Sequence, residues 1–419
     1  MKKRNPIEDL AYLRHEFGEH GGVNMSIEAS TTFTVMDPAT MPEMFEGRKG
    51  PDKGCYLYGR HFNPTVYNLG RQIAAMEGTE AAYCTASGMA AISGAILGIC
   101  VSGDEIVASN AIYGGTHALL SDFLPEKCGI RTTFVDIANP DEVASAITEK
   151  TRLVFTESVS NPTLRVANIP ELADIAHTRG ARLVVDNTFS PLILRPAELG
   201  ADVVVHSITK FISGASDVIA GAICGTEAFI SELMDLHTGP LMLLGPTMDP
   251  GIAASVSLRI PHLPLRMAEH GKRALELSRR LHKMGLHVTY PGLPDHPDHD
   301  LFNGLRSAEY GYGGIFTIDV QDAAAANDLM SCLQNEQRFG YLAVSLGYFD
   351  TLMSCSGSST SSEMSDEDQA LAGISPGLVR VSIGYTGTLE QRWSQLLAAL
   401  KKTGIVDAYE KPSQEIRSA

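Results

Sequence analysis

Between about residues 80 and 225, short apolar runs alternate with amphipathic stretches, and this alternation limits the possible fold more than any other feature of the chain. EIVAS (105–109), TTFVDI (132–137), RLVFTES (152–158), RLVVDNT (182–188), DVVVHS (202–207) and GAICG (221–225) are short and each is centred on a run of apolar residues. They read as strands buried on both faces, as in a mostly parallel sheet covered by helices. THALLSDFL, DEVASAITEK and PELADIAHTRG supply helices between them, the last with Pro170 in its first turn and Gly180 at its close. The expectation is an α/β domain.

Past about residue 250 the pattern changes to a long helical segment (RMAEHGKRALELSRRLHKMG), then strands in GIFTIDV (314–320) and GLVRVSIGY (377–385) and a closing helix from Thr388, where T-L-E-Q resembles a capping box. A smaller α+β domain is expected there. At 419 residues the chain is long enough for two globular regions. The divisions are expected at 1–62, an arm of weak periodicity, 63–253, the α/β domain, and 254–419, the C-terminal domain.

Composition narrows the function. A formal net charge of −16 disfavours nucleic-acid and anionic-membrane partners, which need positive surface. The longest apolar stretch, Met89 to Val101, carries glycines and a serine and falls short of the roughly 20 residues of a bilayer span. The N-terminus has basic residues but no apolar core and early acids, so the expected location is cytoplasmic. Seven scattered cysteines without a C-x-x-C pair suggest neither a disulfide framework nor a zinc site. His296 and His299 lie in a Pro/Asp-rich loop without cysteine partners, and no metal is expected there.

Three segments carry candidate chemistry. In HSITKF, Ser207, Thr209 and Lys210 follow a buried strand, at the carboxyl edge where α/β sheets bind ligands. The hydroxyls can donate to a phosphate, and a lysine of lowered pKa can condense with an aldehyde. On those residues alone an exposed lysine after a strand is the simpler reading. In LVVDNTF, Asp186 ends another apolar strand, and a buried carboxylate needs a partner; a helix cap or a metal ligand is the competing reading. In TASGMAAIS, Ser87, Gly88 and Met89 open an apolar helix whose N–H groups and dipole can hold an anion, although small residues there also serve packing.

Taken together, Y-x-R-x-x-N-P-T (Tyr58, Arg60, Asn63, Pro64, Thr65), S-G-M, Y-G-G-T (113–116), E-S-x-x-N-P (157–162), V-D-N-T (185–188) and S-x-T-K resemble, in order and spacing, the Cys/Met-metabolism or γ-family of enzymes that use pyridoxal 5′-phosphate (PLP). The resemblance implies the fold type I architecture of PLP-dependent transferases. It implies Lys210 as Schiff-base lysine and proton shuttle, Asp186 as partner of the pyridinium nitrogen, and Tyr113 as the residue stacked on the ring and acting in proton transfer at the leaving group. Asn161 would bond the phenolic oxygen, and Ser87, Gly88, Met89, Ser207 and Thr209 the phosphate. Tyr58 and Arg60 would reach the neighbouring subunit's cofactor from the N-terminal arm, with Tyr58 also near substrate. This makes the active unit a homo-oligomer, at least a dimer with shared sites and expected as a tetramer. Arg380, whose planar fork suits a carboxylate, would bind the substrate's α-carboxylate, and Ser345 would help orient it.

Within the family, residues 15–30, 241–249, 353–364 and 373–380 resemble plant-type methionine γ-lyases, which implies γ-elimination of L-methionine. The alternatives are cystathionine γ-lyase, a γ-replacing synthase (cystathionine γ-synthase or O-acetylhomoserine sulfhydrylase), and a catalytically idle PLP-binding scaffold. Ala215 stands where histidine is frequent, Gly115 where bacterial methionine γ-lyases carry cysteine, and a Ser-rich stretch around Cys355 replaces a histidine-containing run.

Overall fold

The computed structural model describes residues 5–13, 20–320, 322–355, 369 and 373–406. The Ser-rich stretch beyond Cys355 lies outside the described residues, apart from Gln369 and the chain from Gly373 onward.

The first sheet has seven strands: β1 (Ala81–Thr85), β2 (Glu105–Ser109), β3 (Arg131–Val135), β4 (Thr151–Glu157), β5 (Arg182–Asp186), β6 (Val203–His206) and β7 (Gly221–Gly225). Their spatial order is β1-β7-β6-β5-β4-β2-β3. The run from β6 to β3 is parallel, and β7 is antiparallel to both neighbours. The sheet is therefore mostly parallel, as expected, with GAICG as its one reversed strand. Why the runs have apolar centres is visible in β5: Leu183 and Val185 join one core, Val184 the other, so both faces are covered. β3 departs from this pattern. It is the edge strand, and its residues alternate exposed with half-buried until Val135.

Two other expectations are modified. The helix read in THALLSDFL begins earlier, at Gly114, and passes through a π-helical turn at Leu119–Phe123 before resuming over Leu124–Cys128. β1 has no counterpart among the strands expected from sequence; only the last three residues of AAYCT are buried. The 3.6-residue pattern in PELADIAHTRG gives helix Ile169–Thr178, with a proline in its first turn and Gly180 in the left-handed region.

The second sheet contains β8 (His287–Thr289), β9 (Ile315–Asp319), β10 (Tyr341–Leu342), β11 (Leu352–Cys355) and β12 (Leu378–Ser382), ordered β10-β11-β12-β9-β8. Helices Leu263–Lys283, Ala323–Asn335 and Leu389–Lys402 contribute Leu277, Leu329 and Leu396 to its core. Thr388 caps the last helix by accepting from Gln391 N, at the position the T-L-E-Q run indicates. The division expected after residue 253 falls inside helix Pro250–Arg259. Helix Leu263–Lys283 joins the two cores, giving Leu263 and Met267 to the first and Ala274 and Leu277 to the second.

The arm carries local structure despite its weak periodicity. Helix Pro6–Leu13 buries Leu10 in the first core, and a short bridge pairs Thr32 with Tyr58.

Candidate active site

The site lies at the carboxyl ends of β4, β5 and β6, where parallel strands release their chain into loops. β4 ends in Glu157 and β5 in Asp186, and these two acids are register partners, so two carboxylates stand one strand spacing apart. Burial pushes the Asp186 carboxyl above the usual carboxylate range, opposed by hydrogen bonds from Thr188. Those bonds reach Asp186 Oδ1 from Thr188 N at 2.9 Å and Thr188 Oγ1 at 2.5 Å. Ser207 N in turn donates to Thr188 Oγ1 at 2.9 Å, locking the segment after β6 to the segment after β5.

Lys210 sits in the turn that follows β6, half-buried, with its Nζ donating to Ser345 Oγ at 3.0 Å. Burial, with the charge of Arg380 in addition, lowers its pKa to about 8. Arg380 lies in β12 at the centre of the second sheet and is among the largest fully buried side chains. Its Nη1 donates to Asn161 Oδ1 at 2.9 Å and its Nη2 to Ser345 O at 3.1 Å, while its Nε is buried with no partner among the described residues. Burial brings the guanidinium down to about 10, against the nearby Tyr113 and Glu157.

A second cluster forms around the start of helix Gly88–Ile99. Ser87 caps it by accepting from Ala90 N at 3.1 Å, which leaves its hydroxyl proton for another acceptor. A Cβ at Gly88 would lie 2.7 Å from Ser207 Cβ, so only glycine lets the helix start meet the Ser207 turn. Met89 contributes backbone there and packs its side chain against the core. The Thr209 hydroxyl accepts from Ala220 N at 2.9 Å and lies 3.2 Å from Ala220 O, so it faces another ligand only when its proton turns away from that carbonyl.

Lys210, Asp186, Tyr113, Asn161, Ser345 and Arg380 thus converge, and Ser87, Gly88 and Ser207 form the adjoining cradle. Tyr58 and Arg60 are held by other neighbours. Arg60 donates to Met242 O at 2.7 Å and lies over the Tyr58 ring, itself 49% exposed on the single chain. Two contributors had been given no role from sequence, Glu157 and Thr188. Both lie within quoted motifs, and the signal for Glu157 was a second acid at the end of a buried strand.

These groups fit PLP. An amine of lowered pKa suits an aldehyde, a buried acid short of a cation suits a pyridinium nitrogen, and a helix start opened by glycine suits a phosphate. Fold and site together define a PLP-dependent enzyme of fold type I. The model of the family described as "Cys/Met metabolism PLP-dependent enzyme" matches residues 11–400, and the chain belongs to that family. It is 60% identical to methionine γ-lyase of Arabidopsis thaliana over 93% of this chain and 89% of that one. An L-methionine γ-lyase of Fusobacterium nucleatum subsp. polymorphum is 36% identical over 87% of this chain and 90% of its own. A solved Campylobacter jejuni chain carrying N′-pyridoxyl-lysine-5′-monophosphate superposes with a TM-score of 0.87 at 26% identity, covering 95% of this chain and 100% of that one.

Proposed function

We propose that the protein cleaves L-methionine by γ-elimination to methanethiol, 2-oxobutanoate and ammonia. The observation that carries this reading is the convergence on Ser345 of an amine able to move protons and an arginine able to grip a carboxylate. It occurs in a chain 60% identical to a methionine γ-lyase.

When bound, PLP supplies a conjugated ring that accepts the electron pair left at the substrate's α carbon. Lys210 would hold the cofactor's aldehyde carbon. Once released by the incoming substrate amine, Lys210 would take the α proton, a task helped by a pKa near 8, which keeps a useful fraction unprotonated at neutral pH. Asp186, oriented by Thr188, would pair with the ring nitrogen. Asn161 has its Oδ1 turned to Arg380, so its Nδ2 remains as the donor for the phenolic oxygen. Ser87, Gly88, Met89, Ser207 and Thr209 would hold the phosphate.

Arg380 would bind the substrate α-carboxylate, with its unpaired Nε as part of the fork, and Ser345 would orient the same group. Tyr113 would cover the ring and give a proton to the departing sulfur. The exposed Tyr58 and Arg60 would complete the site of a neighbouring subunit, in a dimer that pairs into a tetramer, with Tyr58 also near the substrate. We place the enzyme in the cytoplasm, with residues 63–253 as the cofactor-binding unit and 254–419 as the smaller one.

Product analysis tests this reading, with L-methionine, L-cystathionine and O-acetylhomoserine plus a thiol offered separately to the PLP-loaded protein. Methanethiol and 2-oxobutanoate in equal amounts from methionine are expected. Cleavage of cystathionine without any methanethiol from methionine would favour the cystathionine γ-lyase alternative, and thioether formation alone a γ-replacing synthase.

A further inference from the structure

Glu157 stands at the end of β4, only 8% exposed, and both of its oxygens are in use. Oε1 accepts from Tyr113 N at 2.8 Å and Oε2 from Asn161 N at 2.9 Å. Tyr113 leads into the helix that follows β2, and Asn161 lies in the loop that follows β4. One side chain therefore ties together two segments that no strand pairing connects at this point. Arg380 closes the arrangement from the other side by donating to Asn161 Oδ1. Asn161 is thus gripped twice, through its backbone by Glu157 and through its amide by Arg380, and the direction of its Nδ2 follows.

The location of this acid is costly. Burial and the neighbouring Asp186 both push its carboxyl upward, against two backbone N–H groups and Arg380. Satisfying two N–H groups does not require a carboxylate one strand spacing from another buried carboxylate; an amide or a hydroxyl on either segment would serve with less repulsion. What a carboxylate adds is two equivalent acceptors at a fixed separation, facing opposite segments.

We propose that Glu157 is a positioning residue, whose two oxygens set the spacing between Tyr113 and Asn161 and so aim the donor that Asn161 presents to the cofactor's phenolic oxygen. The proposal rests on reading the site as a PLP site. Glu157→Gln keeps the size but leaves one acceptor, and Glu157→Asp keeps the charge but is one methylene short of spanning both N–H groups.

The test uses both variants as full-length, PLP-loaded proteins. The readouts are the pH midpoint of the cofactor's visible absorbance band, kcat and KM for methionine, and the thermal midpoint. Both variants are expected to load cofactor and fold. Their band midpoint should move by about half a pH unit or more. Their kcat should fall about tenfold or more while KM stays within about threefold. In an Asn161→Ala background, Glu157→Gln should leave the band midpoint where Asn161→Ala alone puts it, because the two act through one path. A midpoint and kcat indistinguishable from the parent in both variants would overturn the proposal, as would a full midpoint shift that persists without Asn161. If Glu157→Gln does not fold, Glu157→Asp decides; failure of both to fold would make the acid a structural residue and likewise overturn it. A parent protein with no visible band would instead overturn the cofactor reading on which the proposal rests.

Discussion

The chemistry of single residues in this protein is set by where burial leaves them. Lys210 is the clearest case, since its side chain is withdrawn from water and faces Arg380 within the same cluster, and both effects disfavour the ammonium form. An ordinary lysine amine is almost wholly protonated at neutral pH, whereas one near 8 is neutral in about a tenth of molecules at pH 7. The neutral amine is the nucleophile, so the rate at which the cofactor-free protein captures PLP should rise with pH and level off above about 8. Stopped-flow absorbance across a pH series measures this; a rate still climbing toward 10.5 would mean that burial does not tune the amine. The residues of the candidate site were legible in the sequence through the resemblance of their short motifs, taken together, to a family, since each segment alone favoured a simpler reading, and Arg380 lies in the middle of a strand, not at its end. Glu157 and Thr188 were not assigned roles, since their function is to hold other groups in place. Only coordinates show that one accepts from Tyr113 and Asn161 and the other bonds Asp186.

Secondary-structure elements bring those residues together, and their close approaches are specific. The start of helix Gly88–Ile99 meets the Ser207 turn only because Gly88 has no Cβ. Gly88→Ala would force the two apart, since backbone and a short side chain, not a flexible tip, lie within 3.0 Å of the added atom. The expected result is a loss of PLP affinity of about tenfold or more with the fold retained, a cost of about 1.4 kcal/mol or greater. Fluorescence titration of the cofactor-free variant checks this, and unchanged affinity would remove Gly88 from the cradle. Elements also show where sequence periodicity loses information. RLVVDNT read correctly as a buried strand because both of its faces pack against helices. TTFVDI, equally apolar, became an edge strand with one side toward solvent, and the order of strands is not written in any one of them. AAYCT is as long as EIVAS but opens on two half-buried alanines and so does not stand out as a buried run, and β10 has just two residues, both exposed.

At the scale of the whole molecule, two sheets with separate cores enclose the site between Lys210 on the first and Arg380 on the second, joined by helix Leu263–Lys283. Arg60 bonds Met242 and lies over the half-exposed Tyr58 ring, so both remain available to the neighbouring subunit that the proposed function assigns them. Lys210→Ala and Arg60→Ala homo-oligomers should each be strongly impaired, whereas mixed assemblies should regain up to about a quarter of the parent activity, because random pairing at a two-subunit site leaves one intact site in half of the dimers. No recovery on mixing or co-expression would mean that each chain completes its own site. The central claim, that Lys210 is the covalent anchor of PLP, is tested most directly by reducing the PLP-loaded protein with borohydride and mapping the modified peptide by mass spectrometry. A single phosphopyridoxyl group on Lys210 is the predicted result, and a label on any other lysine, or none, would contradict the account.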